Sequence, residues 1–274
     1  NGYDPVHEHV VLEDNIFVRI APIVANYAYG FTDKRQDLDQ TQMIEGWSAI
    51  AKNLMFWDYQ NQYKNYLMYY PNLSYLAENI QFYKDINVVY LMNQSSYNTP
   101  GDWQSNLKYY VANKLYWHPD RNVNGLIQEF VKYYHGDAAA QYVLQYIDMM
   151  EDHYAQMREK ENFRIHCVDL VGSYLDLENN PLGLLEKSIA VLKEGLAAIE
   201  ADSNITNEQK ESFRNRLYSV LVMPQYTILK NYNNYYITGQ KEFAIEFFEN
   251  LSHTGMTRVA EQQRVEEFMA QFGL

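Results

Sequence analysis

Two short apolar segments joined by a helix, within residues 52–117, constrain the fold of this chain more than any other feature. The first segment, Asn53–Tyr59, ends in aromatic and acidic side chains, and the second, Val88–Met92, is continuously apolar and leads to Gln94. Between them, a helix is predicted to begin near Asn72. Buried parallel strands that present polar side chains at their carboxyl ends are typical of a (β/α) barrel.

A third strand is predicted ahead of these two, at Asn15–Val24 with a bend at Pro22, and a helix follows over Leu38–Lys52. A closed barrel needs eight strands and about 250 residues, so three strands cannot close one. We therefore expect residues 1–120 to be the C-terminal strands and helices of a (β/α)8 TIM-type barrel. The other strands are expected upstream of Asn1, and a complete small three-layer protein is the alternative.

Residues 121–274 are almost purely helical in pattern and are predicted to form a helical domain packed on the barrel. Apolar residues at helical spacing end at Gly136, and Thr206 with Gln209 forms a capping box. Further helices are predicted near residues 137–159, 184–199, 209–222, 240–250 and 258–272.

Charge and motif content exclude several classes of function. The chain has 35 acidic and 22 basic residues, a net charge of −13, which is opposite in sign to a protein that neutralises nucleic-acid phosphates. No apolar run approaches the roughly 18 residues of a membrane-spanning helix. The sequence also has neither a Gly-rich phosphate loop nor a Gly-x-Ser-x-Gly elbow, so nucleotide and serine-hydrolase chemistry lack support.

We expect no metal ion or other cofactor. His7 and His9 could place two imidazoles on one side of an extended segment, but no third or fourth ligand is evident nearby. The one cysteine, Cys167, excludes an internal disulfide and leaves a reducing compartment and bacterial secretion equally open.

An ordered series of motifs across roughly residues 3–155 resembles a bacterial family of suggested glycoside hydrolases, long catalogued as a domain of unknown function. The motifs include Asp14–Arg19, Trp57–Tyr59, Met92–Gln94, Lys114–Asp120 and Tyr133–Gly136. The resemblance implies a barrel related to those of hexosaminidases and α-glucuronidases, with some members acting as endo-β-N-acetylglucosaminidases on N-glycans. It also implies a bacterial protein that is secreted, periplasmic or on the cell surface.

By this resemblance, the matched stretch corresponds to the last three strands of the barrel. The acidic catalytic pair of the family, expected on a middle strand, has no counterpart in this chain. The catalytic acid is therefore expected upstream, and the upstream part of the same barrel is the expected partner.

Asp58 is the one acidic side chain at the end of a predicted strand, and three roles are open to it. It could act directly as a catalytic acid or base, it could bind sugar hydroxyls, or it could make a structural hydrogen bond. Because side chains alternate along a strand, either Asp58 or the pair Trp57 and Tyr59 faces the pocket, and both cannot do so without a bulge. In the second case the two aromatic side chains form a stacking platform for a sugar.

Four further residues are candidates for binding a substrate, and each has a structural alternative. Gln94 could bind a diol or an acetamido group, or satisfy backbone groups in its loop. Asn26 and Tyr27 follow the first strand, and the tyrosine could contact an acetamido oxygen or pack in the core. Trp103 could stack on a sugar ring or serve as a hydrophobic plug under its helix.

The sequence thus predicts a glycoside hydrolase that acts on a glycan containing N-acetylhexosamine. One alternative is a non-catalytic carbohydrate-binding protein that retains the barrel and lacks the acid. Another is a helical scaffold protein whose aromatic strand ends belong to the core.

Overall fold

The computed structural model describes residues 11–168, 177–232 and 239–274, so His7 and His9 lie outside the described residues. Its first part alternates strands and helices. In chain order these are β1 (Phe17–Ile20), α1 (Leu38–Ile50), β2 (Asn53–Tyr59), α2 (Leu73–Asp85), β3 (Val88–Gln94) and α3 (Trp103–Trp117).

The three strands form one parallel sheet in the order β1-β2-β3, which confirms the predicted α/β class. Arg19 lies opposite Met55, and Trp57 lies opposite Met92. Within the described residues, no further strand pairs with the outer edge of β1 or of β3. The structure is therefore a mixed α/β fold with a small open parallel sheet.

Helices cover one face of this sheet because alternate residues of β2 are apolar and pack against aromatic side chains. Leu54 and Phe56 are each only 1% exposed. The ring of Phe56 lies 4.3 Å from that of Tyr83 on α2 and 5.4 Å from that of Phe31, measured between centroids. Burial of this kind is worth about 2 kcal/mol or more for each large side chain.

The later part of the chain is mainly helical. It comprises α4 (Val123–His135), α5 (Asp137–Met157), α6 (Leu182–Ala201), α7 (Asn207–Asn231) and α8 (Gln240–Ser252). The predicted capping box is confirmed: the Gln209 amide donates to Thr206 Oγ1 at 3.2 Å, and the Thr206 amide donates to Gln209 Oε1 at 2.8 Å. Helix α7 continues past the predicted end at Val222 and includes Pro224.

The predicted helix over residues 258–272 is wrong. Arg258–Ala260 (β4) and Gln263–Arg264 (β5) form an antiparallel hairpin, and only Val265–Met269 (α9) is α-helical, followed by a single 3-10 turn over Ala270–Phe272. The reason is tertiary: the Val259 carbonyl accepts the Tyr66 amide at 2.9 Å, and the Glu261 amide donates to the Tyr63 carbonyl at 2.7 Å. In this segment, hydrogen bonds to the loop after β2 take the place of the backbone hydrogen bonds of a helix.

The two predicted parts share one continuous hydrophobic core, since α3 packs on α4 and the hairpin packs on the loop after β2. The boundary near residue 120 stays a prediction. Among the described residues, none of the helices combines the length and the apolar character that a membrane crossing requires.

Candidate functional site

The face of the sheet that points away from α2 and α3 is largely uncovered, and we call it the open face. By strand alternation, it consists of the side chains of Phe17, Arg19, Met55, Trp57, Tyr59, Tyr90, Met92 and Gln94. Phe17 and Tyr90 are each 55% exposed, although both are aromatic. A parallel sheet normally has both faces covered, so an aromatic surface left exposed on one of them is a candidate binding surface.

The centre of the open face is Trp57, and its ring is held in place from two directions. The indole Nε1 donates a hydrogen bond to Gln94 Oε1 at 2.8 Å. The Arg19 guanidinium carbon lies 5.1 Å from the ring centroid, within the range of a cation–π contact. The Tyr59 ring is stacked beside the indole at 6.4 Å. The result is a fixed aromatic platform flanked by an amide and a cation.

Tyr59 lies at the carboxyl end of this platform, where the chain covers it. It is 7% exposed, and burial raises its pKa to about 12. Tyr63, in the following loop, packs edge-on against Tyr59 at 6.0 Å, and its amide donates to the Cys167 carbonyl at 2.7 Å. The segment at Cys167 therefore closes one end of the open face.

Asp58 lies on the opposite, helix-covered face and is 1% exposed. Its carboxylate accepts hydrogen bonds from the Tyr83 hydroxyl at 2.7 Å, from Gln60 Nε2 at 2.8 Å and from the Tyr59 amide at 2.8 Å. Desolvation raises the pKa of Asp58 to about 6, although these hydrogen bonds act in the other direction. Of the three roles open to Asp58, this geometry favours the structural hydrogen bond.

A buried lysine that the sequence analysis did not single out holds the loop after β2. Lys108, on α3, is 1% exposed, and its Nζ donates to the Gln60 and Tyr70 carbonyls at 2.9 Å each. Desolvation lowers the pKa of Lys108 to about 7. Its position between Leu107 and Val111, on the apolar stripe of the helix, was the signal that could have revealed it.

Asn26 and Tyr27 lie in the core and fix the segment that precedes Cys167. Asn26 Nδ2 donates to the Phe163 carbonyl at 3.1 Å, and Asn26 Oδ1 accepts the Ile165 amide at 2.9 Å. The Tyr27 hydroxyl donates to the Pro22 carbonyl at 3.2 Å, and the side chain is 4% exposed. The structural alternative is favoured for both residues.

Trp103 is likewise buried, at 1% exposure, at the start of α3. Its indole Nε1 donates to His135 Nε2 at 2.8 Å, and its ring lies 6.3 Å from that of Tyr146. Burial lowers the pKa of His135 to about 3, which keeps the imidazole neutral as an acceptor. This placement matches the hydrophobic plug that was the alternative to sugar stacking.

The structure therefore brings three of the predicted binding residues together, namely Trp57, Tyr59 and Gln94. It adds Arg19, which the sequence analysis did not identify as a site residue. Strand alternation was the signal in the sequence, because it places Arg19 on the same face as Phe17. The register of the sheet then aligns Arg19 with Met55.

A separate cavity of about 650 Å³ lies beside the start of α1. Asp37 and Arg164 form an ion pair in its wall, with His166 next to the arginine. None of the open-face residues lines this cavity. Within the described ranges, no group of three or more His, Cys, Asp or Glu side chains is arranged to hold a metal ion.

Three comparisons with known proteins were made, and one of them found a match. No curated protein and no solved structure matches the chain. The model of the family described as "Domain of unknown function (DUF4838)" matches residues 4–148, more than half of the 274 residues, and the chain therefore belongs to that family.

Proposed function

We propose that the open face binds a carbohydrate and forms part of the wall of a (β/α)8 barrel glycoside hydrolase acting on a glycan that contains N-acetylhexosamine. The observation that carries this proposal is the fixed indole of Trp57, held by Gln94 and flanked by Arg19. The apolar face of a sugar ring packs on an aromatic ring, while neighbouring amides pair with its hydroxyl and acetamido groups.

The barrel is supported by the shape of the sheet. Its strands are parallel, one face is covered by helices, and the open face carries exposed Phe17, Tyr90 and Met92. In a barrel, such a face points to the interior and its edges pair with further strands. On this proposal the upstream part of the barrel is the partner, and the sugar lies on the ring of Trp57.

Glycoside hydrolysis needs a proton donor and a group that stabilises the oxocarbenium-like centre. None of the open-face side chains is a carboxylate, and Asp58 is buried on the other face. The proposed mechanism therefore takes its acid from another strand of the barrel, while Trp57 and Gln94 orient the sugar. Secretion by a bacterium is part of the same proposal.

The second candidate is a carbohydrate-binding protein without catalysis. One observation favours it: the acidic side chain at the end of β2, Asp58, has its carboxylate hydrogen-bonded by three protein donors. This candidate uses the same open face and the same aromatic platform.

Calorimetric titration with N-acetylglucosamine oligosaccharides tests the binding that both candidates share. We expect binding by the wild type and at least about fivefold weaker binding by Trp57→Ala, by analogy with the stacking of a nucleic-acid base on one aromatic ring, which is worth about 1–3 kcal/mol. The matched control is Trp117→Ala, because Trp117 is 83% exposed at the end of α3 and is expected to leave binding unchanged. Absence of binding, or equal loss in both variants, contradicts the proposal.

Release of reducing ends by the natural gene product separates the two candidates. An enzyme releases them from a glycan containing N-acetylhexosamine, and a binding protein binds the same glycan without cleaving it. If neither binding nor cleavage occurs, both candidates are wrong.

A further inference from the structure

The positive charge of Arg19 has no acidic partner in the described part of the chain. The ion pairs there involve lysines and other arginines, and no described carboxylate lies within 4.0 Å of the Arg19 guanidinium. The guanidinium contacts the ring of Trp57 instead. The open face therefore carries a cation that offers N–H donors and no acceptor.

The contact with Trp57 also orients the guanidinium. A guanidinium that packs over an aromatic ring keeps its N–H groups free at its edge, and that edge matches a carboxylate in a bidentate arrangement. Gln94 fixes the same indole from its Nε1 atom, at 2.8 Å. The cation thus lies over the indole ring, and the sugar is proposed to stack on the part of the ring that the guanidinium leaves uncovered.

Once a ligand or further strands cover the open face, Arg19 loses water. A cation removed from water without an anionic partner costs several kcal/mol, so whatever covers Arg19 is expected to bring negative charge. The face contributes none, since its other members are aromatic, apolar or amide side chains. A neutral sugar would leave the cation unpaired.

We propose that the sugar bound on Trp57 is acidic and that its carboxylate is bound by Arg19. This inference rests on the proposed function and narrows its substrate class to glycans that carry a uronic acid or another carboxylate-bearing sugar. The guanidinium binds the carboxylate through its N–H edge, and Trp57 contacts the apolar face of the same ring.

The net charge of the chain makes a preference for an acidic sugar informative. With a net charge of −13, the chain attracts no anion through its summed field. A preference for an acidic sugar over the matching neutral sugar must therefore come from a direct contact with a cation such as Arg19.

Titration followed by intrinsic tryptophan fluorescence tests the inference with two matched probes. The first is a disaccharide of β-linked glucuronic acid and N-acetylglucosamine, and the second is the same disaccharide with its carboxyl group reduced to a hydroxymethyl group. We expect the acidic probe to bind at least about tenfold more tightly to the wild type, as a charge-assisted bidentate pair implies. Arg19→Gln is expected to abolish this preference, so that the two probes bind the variant within about twofold of each other, and Arg19→Lys is expected to retain part of it.

The control variant is Arg214→Gln, because Arg214 is partly exposed on α7 and pairs with Glu200, away from the sheet. It is expected to retain the full preference. If both probes bind the wild type equally, or if Arg19→Gln keeps the preference, the inference is wrong although the carbohydrate proposal stands. If neither probe binds, the inference and the proposed function fail together.

Discussion

The two faces of the sheet contain similar kinds of residue and differ in what covers them. Along β2, Leu54, Phe56 and Asp58 are each 1% exposed beneath α2 and α3. The alternate residues Met55 and Trp57 are only partly buried, and Trp57 makes polar contacts with Gln94 and Arg19 rather than packing under a helix. Hydrophobic composition therefore does not separate the core face from the candidate binding face.

The comparison teaches that chemistry at a strand end depends on which face is covered. Asp58 carries the carboxylate of β2, the group that could act as an acid or base. That carboxylate nevertheless accepts three hydrogen bonds within the protein. Trp57 lacks an ionisable group and still presents the surface on which a ligand can pack. Substitutions on the covered face and on the open face test this difference, because they are expected to have unequal effects.

The largest expected effect is on the covered face. Phe56→Ala removes a ring that packs at 4.3 Å from Tyr83 and is expected to lower the free energy of unfolding by about 3–5 kcal/mol. Denaturant unfolding measures this loss, and Trp57→Ala on the open face is the matched variant. Equal losses for the two variants would show that both faces are core.

Removal of the Asp58 carboxylate is expected to have the next largest effect. Asp58→Ala leaves the Tyr83 hydroxyl and the Gln60 amide without their acceptor, which is expected to cost about 3 kcal/mol of folding free energy. Thermal unfolding measures the change, and Asp58→Asn, which retains one acceptor oxygen, is expected to lose less. An Asp58→Ala variant of wild-type stability with lost sugar binding would instead assign Asp58 to the binding site.

Lys108 is expected to make stability depend on pH on the alkaline side. Because burial lowers its pKa from 10.5 to about 7 in the folded state, the unfolded chain binds more protons between these values. Folding stability contributed by this group therefore rises with pH above about 7, by on the order of 2 kcal/mol up to about pH 9. Denaturant unfolding at both pH values, compared with Lys108→Met, measures it, and an identical rise in the variant would contradict the assignment.

Asp58 is expected to make folding stability fall as the pH rises on the acid side, the opposite of the effect of Lys108. Its folded-state pKa, raised from 3.8 to about 6, means that the folded chain holds the proton more tightly than the unfolded chain. The contribution of this group is therefore present below about pH 4 and is lost as the pH rises to about 6. Asp58→Asn is expected to remove this dependence, and the difference between the two unfolding curves isolates it from other titrating groups.

The smallest effect is expected on the open face. Met92 is 40% exposed on β3, so Met92→Gln is expected to change the free energy of unfolding by less than about 0.5 kcal/mol. The same denaturant titration measures it. A loss of more than about 2 kcal/mol would mean that Met92 is packed against protein in solution, and the face would not be open.

Much of the local fold could be predicted from the sequence because periodicity and caps are local signals. The strand Asn53–Tyr59 and the capping box at Thr206 are confirmed. The segment Arg258–Phe272 was predicted incorrectly because its backbone pairs with the loop that contains Tyr63 and Tyr66, and that pairing is visible only in three dimensions.

The candidate site was harder to predict because alternation tells which residues share a face and does not tell which face helices will cover. The sequence identified Trp57, Tyr59 and Gln94 as separate candidates, and it left the direction of Asp58 open. Arg19 became a site residue only through the register between β1 and β2 and its contact with Trp57. The role of Lys108 depends on carbonyl groups 38 and 48 residues away in sequence.

The central claim is that the open face, and Trp57 in particular, is the surface that a sugar covers. Hydroxyl-radical footprinting with mass spectrometry, with and without saturating N-acetylglucosamine oligosaccharide, tests it most directly. We predict that Trp57 is oxidised in the free protein and protected by the sugar, whereas Trp103, which is 1% exposed, stays unmodified in both states. Oxidation of Trp57 that is unchanged by the sugar, or a Trp57 as unreactive as Trp103 in the free protein, would contradict the account.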